Sequence, residues 1–116
     1  MNPGPQPMLD VATSVHDGFV HVVPRGEIDA ATAQHLAAAL ETVDSQRVIL
    51  DLRELNFMDS SGLRIILRAA DRATRSSGYE LFVARGPRRI QRVFEIAQVA
   101  DRIRWIDDPA ELDPPG

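Results

Sequence analysis

The run Val48-Ile49-Leu50-Asp51-Leu52 limits the possible folds more than any other feature of the chain. A short and nearly continuous apolar segment needs cover on both faces, which is the pattern of a central strand and one that usually pairs in parallel. Helical periodicity lies on both sides of it. From Ala30 to Val43 the residues Ala33, Leu36, Ala37, Leu40 and Val43 share one stripe, and Asp29 stands where an N-cap carboxylate would accept a backbone N–H. From about Gly62 to Arg75 the stripe is Leu63, Ile66, Leu67, Ala70 and Ala73. Ser76-Ser77-Gly78 stops that helix, with the glycine near the position that needs a left-handed backbone.

Ahead of these elements, Leu9, Val11, Thr13 and Val15 alternate with more polar neighbours, and Phe19 to Val23 is rich in β-formers. Asp17-Gly18 between them supplies the positive φ of a tight hairpin turn. Pro24 and Gly26 are expected to end the second strand. Tyr79 to Ala84 reads as a further strand, and Gly86-Pro87 opens a third helix whose buried stripe is Ile90, Val93, Phe94 and Ala97. Ile103, Trp105 and Ile106 suggest a short edge strand, and Pro109 to Leu112 a helical turn. The expected fold is α/β: one domain over residues 8–112, with an initial hairpin, a mixed sheet of four to five strands and three to four helices. The proline-rich ends, residues 1–7 and 113–116, read as flexible tails. No internal repeat is present.

Composition excludes several function classes. The 116 residues contain no cysteine, which removes thiolate metal sites, redox pairs and cysteine nucleophiles. Thirteen basic against seventeen acidic side chains give a net charge of −4, so there is no overall positive field for nucleic acid. No apolar run approaches the ~18 residues of a membrane span, and Met1 to Pro7 have neither the basic nor the apolar region of a signal peptide. A cytoplasmic protein that does not insert in a membrane is the expectation.

The search for chemistry is short. His16, His21 and His35 lack the spacing of two ligands on one helical face, so structural or solvent-facing roles are expected, with no metal. Neither phosphate-cradling glycine motif occurs, and no cofactor is expected. Ser60 and Ser61 lack the G-x-S-x-G elbow of a serine hydrolase and have no evident general base. One segment, Leu55-Asn56-Phe57-Met58-Asp59-Ser60-Ser61-Gly62-Leu63, runs from beyond the buried strand into an amphipathic helix. In the plainer reading, Asp59 or a serine caps the helix and Gly62 allows close approach. In the other, Phe57 and Met58 are either buried or face a partner, and a serine beside free helix N–H groups is suited to carry a reversible phosphate.

These residues carry a family resemblance. Gly26-Glu27-Ile28-Asp29 after the second strand, Phe57-Met58-Asp59-Ser60-Ser61-Gly62-Leu63 before the second helix, and Arg92-Val93-Phe94 in the third occur in the order and spacing of STAS-domain anti-sigma factor antagonists. The chain resembles that family over about residues 8 to 108. The resemblance implies a non-enzymatic, bacterial partner switch. The unphosphorylated antagonist binds an anti-sigma factor that is also a serine kinase, which frees a sigma factor. Phosphorylation of the serine after the aspartate, here Ser60, releases it, and a serine phosphatase resets it. Asp59 and Ser61 would shape the loop and contact the kinase, with Met58 and Gly62 in the same segment, and Glu27 and Asp29 would belong to the neighbouring loop. The same resemblance also allows a STAS domain held permanently in a transport or signalling assembly; a remote alternative from a different class is a small serine hydrolase with Ser60 or Ser61 as nucleophile.

Helix two adds a hint about the partner surface. Its stripe leaves Ile65 far round the helix beside Arg68 and Arg72, where it either packs on a neighbouring helix or faces a partner. Arg64 stands where some members of the family have glycine, a departure that would alter partner choice. Ala97-Gln98-Val99 replaces a Ser/Thr-Gly-Leu step and is expected to change a turn.

Overall fold

The computed structural model describes residues 8–42, 47–76 and 78–112. The expected tails, the expected helix end at Val43 and the stop residue Ser77 lie outside the described residues.

Strands β1 (Leu9–His16) and β2 (Phe19–Ile28) form the hairpin, joined by Asp17 (φ 53°) and Gly18 (φ 81°). Both turn residues are left-handed, as a two-residue turn that follows the strand twist requires. There follow α1 (Ala33–Thr42), β3 (Arg47–Asp51), β4 (Leu55–Met58), α2 (Ser60–Arg75), β5 (Glu80–Ala84), α3 (Arg88–Ile96) and β6 (Trp105–Ile106), with single 3₁₀ turns at Ala100–Arg102 and Pro109–Leu112. The sheet order is β1-β2-β3-β5-β6, and β4 also pairs with β2. Among the described residues only β1 is antiparallel to its neighbour. The mixed α/β architecture agrees with the order read from sequence. Among the described residues the sheet has six strands rather than four to five, because β4, read as loop, pairs with β2 from Gly26, four residues beyond Val22 where the pairing with β3 ends. Its burial runs buried, exposed, exposed, buried, so it lacks the alternation by which a strand is recognised.

The second strand continues through Pro24 and Gly26 instead of ending there. Pro24 falls between Val22, paired with Leu50, and Gly26, paired with Leu55, in the gap where β2 leaves β3 and meets β4, so its missing N–H costs no ladder bond. Gly26 has φ 108°, the β2–β4 register shifts at Gly26/Glu27, and a side chain at Gly26 would collide with the Met8 carbonyl. Glycine is needed for that bulge.

Val48, Leu50 and Leu52 point into the main core with Val22, Leu81 and Val83, beneath Leu36, Leu40, Ile66 and Ala70 of α1 and α2. Ile49 points to the opposite face, where Phe19, Ala84 and Ile106 form a second cluster with Leu112 of the last turn. The central strand is thus covered on both sides, as its composition demands. Its buried charge, Asp51, is held by the Arg53 guanidinium at 2.9–3.2 Å. The short β6 is fixed by Trp105, whose ring stands edge-on to Phe94 at 4.9 Å and whose Nε1 donates to the Ala100 carbonyl. Ala97, expected in the buried stripe of α3, is exposed, because the helix ends at Ile96 and the chain turns away there.

Candidate functional site

The site is built where β2 and β4 end side by side. Glu27 pairs with Phe57 and Ile28 with Met58, and the Asp59 N–H donates to the Ile28 carbonyl at 3.1 Å. The Gly26–Asp29 and Phe57–Ser60 segments, 30 residues apart in the chain, therefore share one edge of the sheet.

Each segment is fixed by an aspartate that bonds its own backbone. Asp59 is the N-cap of α2: its backbone is extended (φ −105°, ψ −168°), and Oδ1 accepts the Ser61 N–H at 2.8 Å. That leaves Ser60 at the first helical position, exposed. Asp29 Oδ1 accepts the N–H groups of Ala31 and Thr32 at 2.9 and 3.0 Å, while Thr32 Oγ1 accepts from the Asp29 N–H at 3.0 Å and lies 3.0 Å from the Glu27 carbonyl. Asp29 thus caps a turn over residues 30–32, and α1 begins at Ala33 rather than Ala30. Thr32, almost fully buried, is a positioning residue that sequence reading missed. The Asp-x-x-Thr spacing, which lets each side chain bond the other's backbone, is the signal for it.

The remaining nominated residues divide by burial. Glu27, Asp29, Asp59 and Ser61 are half-buried, and Arg64 is exposed. Ser60 and Arg64 line a shallow groove of about 370 Å³ along α2 together with Leu63, Leu67, Arg68 and Asp71. Met58, beneath α2, and Gly62, on the inner face of that helix, are buried and cannot present a surface as they stand. Ile65 is also corrected: it is 8% exposed and packs in the main core, where α2 meets α1 beside Ala37 and Leu40. The neighbour that an isoleucine at this place needs is the adjacent helix. The apolar residue that does face outward at the strand ends is Phe57, 46% exposed.

The edge is acidic, with Glu27, Asp29 and Asp59 on the two adjoining segments, and it ends on the N-terminus of a sixteen-residue helix with no acidic side chain in its first turn. Among the described residues no hydrogen bond joins either serine hydroxyl to a histidine or carboxylate, and no group of three or more His, Asp or Glu could hold a metal ion. No helix among them is long and apolar enough to cross a membrane. His16 and His21 stack edge to face at 5.3 Å in the hairpin, and His35 is exposed on α1.

The comparisons agree with this geometry. The STAS domain family model matches residues 10–112. The anti-sigma-B factor antagonist of Listeria monocytogenes is 34% identical over 87 residues, covering 72% of this chain and 75% of that one. An anti-sigma factor antagonist from Mycobacterium paratuberculosis superposes with a TM-score of 0.76 at 21% identity over 89% of each chain. The phosphorylated form of SpoIIAA, a Bacillus cell fate determinant, does so with a TM-score of 0.66 at 18% identity, covering 90% of this chain and 96% of that one. The chain belongs to the STAS domain family and, within it, to the anti-sigma factor antagonists.

Proposed function

We propose that this chain binds an anti-sigma factor through the edge formed by β2, β4 and the start of α2, and that a phosphate on Ser60 breaks the complex. The observation that carries this reading is the exposure of Ser60 at the first position of α2, directly after an aspartate whose own carboxylate is engaged in capping. An exposed hydroxyl on a rigid helix start can enter a kinase, and its modification disturbs no packed side chain.

Physical chemistry supports both states. A phosphoserine carries about −1.5 to −2 charges, and the free N–H groups and dipole of a helix N-terminus favour an anion there, so the fold survives modification. The same charge is added beside Glu27, Asp29 and Asp59. A partner fitted to the unmodified edge then meets added bulk and repulsion at the centre of the contact. In this reading the anti-sigma factor is itself the serine kinase. It transfers the γ-phosphoryl group of ATP to Ser60 Oγ, the hydroxyl proton is lost, and ADP leaves. A serine phosphatase restores the hydroxyl by hydrolysis. Glu27, Asp29 and Ser61 contact the partner, and Arg64, lining the groove next to Ser60, tunes which partner is accepted. Met58 and Gly62 act by holding α2 in place. Residues 8–112 form the working unit, the cytoplasm is its compartment, and the chain performs no catalysis of its own.

The test is incubation with candidate anti-sigma kinases and ATP, followed by mass mapping and a binding titration. Phosphate at Ser60, absent from Ser60→Ala, and binding weakened at least tenfold in Ser60→Asp are expected. If Ser60→Asp binds as tightly as the parent chain, the switch is wrong.

A further inference from the structure

Among the described residues the longest open edge of the sheet is β1, eight residues that end the strand order. Exposed edges of this kind are normally protected by proline, lysine, a bulge or brevity. β1 has no proline, no lysine and an unbroken register with β2, and its only carboxylate is Asp10, near one end. Thr13, Ser14, Val15 and His16 are all exposed, and Val15 is 70% exposed.

Which backbone groups face outward follows from the ladder. The Glu27 N–H donates to the Met8 carbonyl at 2.7 Å, and Leu9 pairs with Gly26. Hydrogen-bonded and open pairs alternate in an antiparallel ladder. Asp10, Ala12, Ser14 and His16 therefore turn their backbone groups toward β2, and Leu9, Val11, Thr13 and Val15 turn theirs outward. A further antiparallel strand must bring its own outward set against these.

We propose that the added strand is β1 of a second copy, paired antiparallel about a twofold axis at Thr13. This register places Thr13 against Thr13 and Val11 against Val15 of the second copy, so the outward-facing residues meet one another as the ladder requires. Val11 and Val15 share the face of β1 on which Leu9 is buried in the core and Val11 packs against it, and pairing the exposed Val15 with Val11 of the second copy extends that apolar face across the junction. On the opposite face Asp10 falls against His16 of the second copy, a carboxylate against an imidazole N–H. Apolar and polar complementarity thus hold at once on the two faces of one strand. The axis stands about 13 Å along β1 from Leu9, at the usual strand rise. β4 and Ser60 lie on the side of β2 away from β1, so the Ser60 edge of each copy stays clear of the junction and the dimer presents two partner sites.

Sedimentation equilibrium of the full chain from about 10 μM to about 1 mM tests this. The expected result is a mass rising from 12.8 kDa toward twice that value. Thr13→Pro removes an N–H that β2 does not use, and edge strands accept proline, so this variant folds by circular dichroism and stays monomeric. Val15→Lys does the same through charge, should the proline disturb the hairpin. The chain has no cysteine, so Thr13→Cys gives a clean register probe. Mild oxidation links it into a disulfide dimer, whereas the more exposed Val15→Cys links at least tenfold more slowly. A monomer at about 1 mM, undiminished association of both the proline and lysine variants, or equal crosslinking of Val15→Cys overturns the proposal.

Discussion

Gly62 lies against Met58 with no room for a side chain: a Cβ at Gly62 would stand 2.6 Å from Met58 Cγ and 2.7 Å from Ile28 Cγ2. The absence of a Cβ therefore sets how closely α2 starts above the ends of β2 and β4, and so where Ser60 sits relative to Glu27 and Asp29. Alanine is the better helix former by about 0.5–1 kcal/mol, but forcing a methyl group into packed surroundings costs about 1–3 kcal/mol. Ile28 is β-branched and stiff, so relief falls mainly on Met58. Gly62→Ala is expected to lower stability by about 1 kcal/mol in urea titration. It should also weaken binding to the anti-sigma factor although its side chain cannot touch that partner. Unchanged stability together with unchanged affinity would show that the close approach has no role.

Asp59 and Ser60 are adjacent but should separate in experiment. The Asp59 carboxylate satisfies the Ser61 N–H at the start of α2, and its loss costs about 1 kcal/mol, as for other N-caps. The exposed Ser60 hydroxyl holds no such position. Ser60→Ala is expected to change unfolding free energy by less than about 0.5 kcal/mol while abolishing phosphate incorporation. Asp59→Ala should lower the thermal midpoint and reduce phosphorylation only in part. Equal destabilisation by the two substitutions would mean that the serine, not the aspartate, caps the helix.

The elements that were legible in the sequence are those whose residues obey one period. Val48–Leu52, the Leu63 to Ala70 stripe and the Asp17-Gly18 turn each follow from local rules and appear where expected. What was not legible depends on residues far apart in the chain. Leu55–Met58 becomes a strand because Ile28 and Glu27 stand ready to pair with it, and Pro24 is tolerated because β2 changes neighbours there. The motif identified the Ser60 edge, but not which of its members are surface. Met58 and Ile65 are as apolar as Phe57, and only the position of α2 on the sheet buries the first two and leaves Phe57 outside.

The turn after α3 ends in a non-glycine residue with a left-handed backbone. Gln98 has φ 60°, its N–H donates to the Glu95 carbonyl at 3.0 Å, and the Val99 N–H donates to the Phe94 carbonyl at 3.1 Å. These are the two bonds of a Schellman motif, in which the left-handed position is usually glycine. A side chain there costs about 1–2 kcal/mol, partly offset because glycine gains more freedom when unfolded. Gln98→Gly is therefore expected to stabilise the chain by about 0.5–1 kcal/mol, raising the urea midpoint without altering partner binding. A lower midpoint would mean that the Gln98 side chain makes a contact that matters more than the backbone cost.

His21 makes part of the stability depend on pH. Burial of its ring in the hairpin holds the pKa below the ordinary histidine value, helped by neighbouring His16 and opposed by the carboxylates of Asp51 and Asp17. In the unfolded chain the same ring titrates near about 6.5. Between the depressed folded value and the unfolded one, the unfolded state binds more protons. Unfolding free energy therefore rises with pH through that window, and it is lost as pH falls below about 6.5. The loss should level off once pH passes the folded value, since both states are then protonated. Urea unfolding at a series of pH values from about 5 to about 8 checks the slope, and His21→Gln should flatten it. An NMR titration of His21 provides the independent reading, with a midpoint below that of a free histidine. A variant whose pH profile runs parallel to the parent chain would place the dependence on another group.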